Sequence, residues 1–343
     1  MLLKSLEEET YKIIMKRKVF ILGGGGFIGS AIARRLAHLA NVTIIDALIP
    51  EYGGNLYNVN DVSSKLSIKI LDVREIEKVK DIIKESDYIF NLAGQTSHMD
   101  SMSDPHTDLE INASAQLSIL ESIRVYNPGA KVIFASTRQI YGRPDYLPVD
   151  ESHPIRPVDV NGINKNAGEQ YHLLYHQVYG IPTSVLRLTN TYGPGMRIKD
   201  ARQTFVGIWI KNLIENVPFE VWGGDQLRDF NYVDDVVDAF FLAALNNQAN
   251  GEIFNLGSPE VVKLTALADT LVQVNGDGNY SIKEFPSERK KIDIGDYYSD
   301  SSKIMRVLGW EPKIKLEDGF KQTINFYRKY GKNYLNTSVQ SKS

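Results

Sequence analysis

The chain has 343 residues, 43% of them hydrophobic and 24% charged, with a formal net charge of -3. That length suits one large or two modest domains, and the composition is that of an ordinary globular enzyme. It contains no cysteine, which excludes disulfides, thiolate metal sites and a cysteine nucleophile. The small net charge gives no global pull toward nucleic acid or anionic membrane, so any phosphate must be held by local groups.

The N-terminal stretch is charged and mixed, without the apolar block of a secretory signal. Residues 1–16 read as an extension before the first strand, with Met15 as an alternative start. No apolar run reaches membrane-spanning length, and the cytoplasm is the expected compartment. Val19–Leu22 is a short apolar run ending in glycines, as expected of a buried parallel strand. Phe27–Leu39 has helical spacing, and Val42–Asp46 is a second apolar run closed by a carboxylate. Strands are expected at Leu66–Leu71, Tyr88–Leu92, Lys131–Ser136 and Thr183–Leu188. Helices are expected at Ile76–Ile83, Asp108–Tyr126 and Val160–Tyr179. Such alternation predicts a doubly wound, Rossmann-type parallel sheet in an α/β fold.

Beyond residue 185 helices dominate: Phe205–Glu215, Val233–Leu245, Leu264–Val274 and Leu316–Tyr330. Between them lie short strands at Phe219–Trp222 and Ile253–Leu256. The expected division is a dinucleotide-binding domain over 1–185 and a smaller substrate-binding α/β domain over 186–334. Residues 229–258 are expected to return to the first domain, because Ile253–Leu256 has the look of another buried strand. Residues 335–343 read as a polar, flexible tail. The apolar positions Phe205, Ile208, Trp209 and Leu213 form a helical stripe expected to be core.

The glycines Gly23, Gly26 and Gly29 follow a strand and open a helix, the context that gives their spacing meaning. Gly23 permits the tight turn, Gly26 lets backbone approach a pyrophosphate, and Gly29 lets the helix pack on the strand. The amides of Phe27, Ile28 and their neighbours at the helix start then face the phosphates. Asp46, at the end of the second strand, can accept from both adenosine ribose hydroxyls and repels a 2′-phosphate, which favours NAD over NADP.

Several further motifs make the chain resemble the extended short-chain dehydrogenases/reductases of the nucleotide-sugar epimerase/dehydratase group, over roughly residues 17–330. These are Asp72-Val73 after the third strand, Asn91-Leu92-Ala93-Gly94-Gln95 after the fourth, and Asn112. They continue with Ser136-Thr137-Arg138-Gln139-Ile140-Tyr141-Gly142, Arg187-Leu188-Thr189-Asn190 and Gln226-Leu227-Arg228-Asp229. The resemblance implies bound NAD, with Asp72 and Val73 at the adenine and Leu92, Ala93, Gly94, Gln95, Asn112 and Lys165 lining the cofactor. It implies a nucleotide-diphosphate sugar as substrate, met by Thr137, Asn190 and Arg228. Lys290, in the stretch Glu288-Arg289-Lys290-Lys291, is placed where relatives have a late diphosphate-binding arginine.

In that family a tyrosine and a lysine one helical turn later share a face; the ammonium lowers the tyrosine pKa, and the phenolate accepts the sugar's proton. Here Lys165 and Thr137 keep their places, but Asn161 stands at the tyrosine position, and an amide cannot serve as the base. Asn161 can hold a water or a sugar hydroxyl. Candidate substitutes are His98, Tyr141, Tyr171, Tyr175, Asp100, or Lys165 through a water. His98, placed on a loop after the fourth strand and facing the pocket, ranks first. Relatives that dehydrate sugars at C5 and C6 carry an Asp-Glu pair where this chain has Arg138 and Gln139, so a 4,6-dehydratase is disfavoured.

The expected activity is that of an NAD-dependent nucleotide-sugar epimerase or oxidoreductase, oxidising a ring hydroxyl, at C4, by hydride transfer to tightly bound NAD. A net 4-dehydrogenase releasing the keto sugar is the alternative, and a binding or regulatory protein on this scaffold is the alternative from another class. No cluster with metal-ligand spacing is present. The resemblance also implies a homodimer paired through Asp108–Tyr126 and Val160–Tyr179.

Overall fold

The computed structural model describes residues 13–335. Residues 1–12 and 336–343, which hold most of the expected extension and tail, lie outside the described residues. Within them Ile14 is already buried in the main core, so the chain is tied down before the first strand.

Seven strands form one parallel sheet: β1 (Lys18–Leu22), β2 (Asn41–Asp46), β3 (Leu66–Ile70), β4 (Tyr88–Asn91), β5 (Lys131–Thr137), β6 (Thr183–Leu188) and, from much later in the chain, Ile253–Leu256. Their order is Ile253–Leu256, β6, β5, β4, β1, β2, β3. Val19 to Leu22 and Val132 to Ser136 are all buried, as expected of strands covered on both faces. The order reverses between β1 and β4, and the carboxyl ends of strands flanking such a switch form a ligand crevice.

Helices cover both faces: α1 (Phe27–Leu36), α2 (Ile76–Lys84), α3 (His98–Ser103), α4 (Pro105–Leu109), α5 (Ala115–Tyr126) and α6 (Val160–Tyr179). The helix expected from Asp108 starts earlier, because Asp104 caps the amide of Thr107 and Pro105 takes the first helical position. Between α4 and α5 a single π-helical turn, Glu110–Ser114, carries Asn112; such turns mark functional sites more often than chance. Gly168 of α6 faces it: an added Cβ would lie 2.6 Å from the Asn112 carbonyl oxygen.

A second, smaller layer follows β6. Strands β7 (Asn190–Tyr192), β8 (Phe219–Trp222) and β9 (Leu227–Tyr232) precede β10 (Ile253–Leu256), β11 (Val261–Lys263) and β12 (Tyr280–Lys283). Apart from β10, which belongs to the large sheet, they form a three-stranded sheet β11-β9-β7 and a pair β12-β8. The helices Phe205–Ile214, Leu264–Asn275 and Leu316–Tyr330 close a separate core that includes Trp209, Leu213, Phe219, Phe230, Leu267 and Phe320. Val233–Leu245 instead packs Val236, Val237 and Phe240 into the main core. No helix among the described residues is long and apolar enough to cross a membrane.

Candidate functional site

A cleft of about 550 Å³ opens at the carboxyl ends of β1, β2 and β4, lined by Gly23, Gly26, Asp46, Asp72, Val73, Leu92, Ala93 and Gly94, among others. Gly23 has φ +79°, and an added Cβ would lie 2.8 Å from the Leu92 carbonyl oxygen. At Gly29 the added atom would meet the Gly23 carbonyl oxygen at 2.3 Å, so helix and strand touch backbone to backbone. Helix α1 starts with no side-chain cap, which leaves its first amides to a ligand. Phe27 itself is buried in the second core and offers the cleft only its backbone.

Asp46 accepts from the amides of Gly25 (2.9 Å) and Leu48 (2.8 Å). Burial raises its pKa, against those same amides. The carboxylate thus braces the glycine loop while lining the cleft. Asp72 accepts from Arg74 Nε and Nη2, and the guanidinium holds its carboxyl below the usual range. Arg74 reaches on to Glu110 at 3.0 Å, tying the Asp72 side of the cleft to the π-turn.

Deeper along the crevice, Lys165 is buried, donates to the Ala135 carbonyl oxygen at 2.7 Å and stands 4.6 Å over the Phe134 ring. Burial pulls its pKa down to about 8, with Asp108 and Glu169 opposing. Gly94 faces both Lys165 and Asn112: an added Cβ would lie 3.5 Å from the Lys165 ammonium and 3.0 Å from Asn112 Oδ1. That amide oxygen is buried and has no partner within the protein.

Asn161 turns away from the crevice. Its amide nitrogen donates to the Gln95 carbonyl oxygen (2.8 Å) and to Asp108 Oδ2 (3.0 Å). Asn112 donates to the same two oxygens, each at 3.0 Å, and Asn164 to Asp108 Oδ1 at 2.8 Å. Three amides therefore enclose one buried carboxylate, and Asn161 is a strut rather than a group waiting for substrate.

His98 opens α3 instead of lying in a loop, because Ser97 caps the helix through the amide of Asp100. Its Nδ1 lies 3.0 Å from Asp159 Oδ2, with the ring 40% exposed and the carboxylate buried. Asp159 caps α6 through the amide of Gly162 (2.6 Å) and accepts from Gln139 Nε2 at 2.8 Å. Burial works to raise its pKa, yet His98, Gly162 and Gln139 together hold it below the usual value. The backbone amide of Gln139 donates to Thr137 Oγ1 at 3.2 Å. Close contacts run from His98 through Asp159 and Gln139 to Thr137, with His98 Nδ1 near the Asp159 carboxylate but outside hydrogen-bond geometry.

The other candidate bases are engaged elsewhere. Tyr141 is fully buried, donates to Asn255 Oδ1 (2.7 Å) and accepts from Arg187 (2.6 Å); burial pushes its pKa up to about 12. Tyr175 donates to Glu121, and Tyr171 packs with the cluster under α5 and α6. Asp100 is paired with Arg202 at 2.7 Å.

On the far side, Arg138 Nη2 donates to Asn190 Oδ1 (2.9 Å), and Asn190 Nδ2 donates to the Asp229 carbonyl oxygen (3.0 Å). Arg228 is buried; it donates to the carbonyl oxygens of Leu227 (2.9 Å) and Gly295 and lies 3.5 Å from Asp293. Burial, with Arg138 nearby, lowers its pKa to about 10. Lys290 is exposed on the short helix Ser287–Lys290, while Arg289 stacks 4.6 Å over Trp222.

Residues 19–257 match the model of the NAD dependent epimerase/dehydratase family. The chain belongs to that family. It is 34% identical to a putative UDP-glucose 4-epimerase of Methanocaldococcus jannaschii, over 90% of this chain and 98% of the other. It is 30% identical to a mouse dTDP-D-glucose 4,6-dehydratase, over 93% and 91% of the two chains. The UDP-glucose 4-epimerase of Thermotoga maritima, solved with UDP-glucose, superposes with a TM-score of 0.83 at 30% identity, covering 91% of this chain and 99% of that one.

NAD is the family's cofactor, and the chain's own groups fit it. Uncapped amides at α1 suit the pyrophosphate, and Asp46 keeps free lone pairs for the ribose. The unpartnered Asn112 oxygen and the Lys165 ammonium flank Gly94, which lines the cleft. Asp108, Asn164, Asp159 and Arg74 had not been singled out in the sequence. For the first two there was a signal: Asp108 precedes Asn112 by one helical turn, and Asn161 and Asn164 share a face of α6.

Proposed function

We propose that the protein is an NAD-dependent nucleotide-sugar epimerase that works by oxidation at C4 of the sugar, with His98 as the proton acceptor in place of the family's tyrosine. The observation that carries this reading is the 3.0 Å approach of His98 Nδ1 to Asp159 Oδ2, at one end of a run of contacts that reaches Thr137. Bound NAD supplies a reversible hydride acceptor. The chain's residues do the rest: α1 amides and Asp46 hold the dinucleotide, Lys165 and Asn112 fix its nicotinamide half, and Thr137 orients the reacting hydroxyl. His98 Nε2 takes that hydroxyl's proton and returns it, while the buried Asp159 carboxylate stabilises the imidazolium. Arg228, Asn190 and Lys290 meet the diphosphate end. Rotation of the keto sugar before its reduction gives epimerisation; its release makes the same site a net 4-dehydrogenase.

Elimination across C5 and C6 is not part of the proposal. Arg138 is bound to Asn190 and Gln139 to Asp159, and neither side chain offers acid–base chemistry near neutral pH. A binding or regulatory protein is the second reading, favoured by one observation: Asn161 is locked onto Asp108 and Gln95. We also propose a homodimer in the cytoplasm. Ile163, Leu174 and Val178 of α6 and Val125 of α5 leave an exposed apolar face on the outer helices, the kind of face a second copy covers.

The test is to incubate NAD-loaded protein with UDP-, GDP-, CDP- and dTDP-hexoses, following absorbance at the NADH band and products by mass spectrometry and NMR. A C4 epimer is the expected product. Tight binding without turnover across the panel would establish the binding protein, and no binding at all defeats both.

A further inference from the structure

The loop that follows β2, residues 47–54, is fastened at both ends to the glycine turn. Asp46 accepts the amide of Leu48 at 2.8 Å as well as that of Gly25, and the amide of Asn55 donates to the Gly25 carbonyl oxygen at 2.9 Å. Between these ends Tyr52, half-buried, lines the cofactor cleft together with Asp72, Gly94 and Ile111. Burial raises its pKa, and Asp104 and Asp100, from the α3 side, act in the same direction.

The middle of the loop is held from the other layer of the protein. Arg197 Nη1 donates to the Pro50 carbonyl oxygen, while Nε and Nη2 grip Asp200 at 2.6 and 2.5 Å. Arg202 donates to the same carboxylate at 3.0 Å and to Asp100 of α3 at 2.7 Å. A chain of charged contacts therefore runs from the β2 loop to α3. Its root is firm: Met196 and Ile198, on either side of Arg197, are buried in the second core, and the Arg197 side chain is only 8% exposed. A bidentate arginine shielded from water fixes geometry better than an exposed ion pair does.

We infer that Tyr52 is a cofactor-contacting residue, and that Arg197, Asp200 and Arg202 are positioning residues that hold it over the dinucleotide and slow its release. The inference needs only NAD in the cleft. It serves the reaction proposed above, in which the hydride taken from the sugar is handed back, so the dinucleotide has to outlast the keto sugar.

The experiment is stopped-flow measurement of NADH release from the loaded protein, chased with excess NAD and followed by NADH fluorescence. The proteins are wild type, Tyr52→Ala, Arg197→Met, Arg202→Met and the Tyr52→Ala/Arg197→Met pair. Tyr52→Ala should release NADH about 3- to 10-fold faster, the worth of one aromatic contact. Arg197→Met should fall in the same range, and Arg202→Met, whose pairs are half-exposed, near twofold. Because Arg197 acts through Tyr52, the double variant should release within about twofold of the faster single one. Effects that multiply in the double variant overturn the inference, since Arg197 would then act without Tyr52. Release from Tyr52→Ala at the wild-type rate overturns it too. If Arg197→Met does not fold, Arg202→Met alone and combined with Tyr52→Ala carries the same comparison. A wild type that takes up no NADH defeats the cofactor assignment, and this inference with it.

Discussion

Asn161 Nδ2 donates to Asp108 Oδ2 at 3.0 Å, a bond that ties the start of α6 to a buried carboxylate. Asp108 has no exposure and accepts from Asn112, Asn161 and Asn164. Removing the carboxylate leaves three buried amides short of an acceptor, each costing about 1–3 kcal/mol. Asp108→Ala is therefore expected to lose at least about 3 kcal/mol in urea unfolding. Asn161→Tyr should also destabilise, because a phenol cannot donate to both Gln95 and Asp108, and it should not raise turnover. A gain in rate on restoring the tyrosine would show that Asp108 is not what fixes this position.

The proposed reading gives proton transfer to His98. His98→Asn should lower kcat by about 10²- to 10⁴-fold, the usual worth of a positioned base, with bound NAD unchanged. Asp159→Asn should cost less and shift the pH profile, since it removes only the charge beside the imidazole. Asn keeps an oxygen for the Gly162 amide, so the cap of α6 should survive. Turnover that survives His98→Asn within a factor of about three moves the base elsewhere on the crevice.

Lys165 ties activity to pH through stability as well as charge. Its folded pKa, about 8, is depressed below the ordinary 10.5 by burial. Between these values the unfolded chain holds more protons than the folded one, so stability rises with pH over that window. The penalty that Lys165 places on folding is complete below pH 8, fades through the window and is gone above about 10.5. From pH 7 to pH 9.5 wild type should gain about 2 kcal/mol relative to Lys165→Met, an order-of-magnitude figure from the same linkage. Parallel stability curves for the two proteins would mean that the lysine is not desolvated.

How much of this was legible beforehand depended on whether a residue's role is local. Val19–Leu22 and Ile253–Leu256 announce buried strands by continuous apolar runs, and Gly23 and Gly29 by the turn they must make. Strand β9 was hidden because it buries Arg228, Asp229 and Asn231 rather than apolar side chains, so its pattern is that of a loop. Asp159 gave no sign of meeting His98, because that contact joins positions 61 apart in sequence whose proximity only the packing of α3 on α6 creates. Tyr141 looked available in sequence; Arg187 and Asn255, from two neighbouring strands, consume its hydroxyl.

The outer helices offer a test of assembly. Ile163, Leu174 and Val178 are each about half exposed on α6, at spacings that put them on one side of the helix. Sedimentation should find a dimer for wild type and a monomer for Leu174→Asp with Val178→Asp. The substituted side chains touch no crevice residue, so NAD binding should persist in that monomer.

Cofactor choice turns on Asp46. The carboxylate accepts the Gly25 amide at 2.9 Å and lines the cleft, so it shapes the glycine loop and, on the proposed reading, meets the ribose. Asp46→Ser should weaken NAD about 10- to 100-fold, as expected for losing charge-assisted hydrogen bonds, and should narrow the preference over NADP because the charge that repels a 2′-phosphate is gone. Fluorescence titration with both dinucleotides measures the two effects together. If Asp46→Ser weakens NAD and NADP equally, the carboxylate acts only through the loop, and discrimination at the ribose must come from another group.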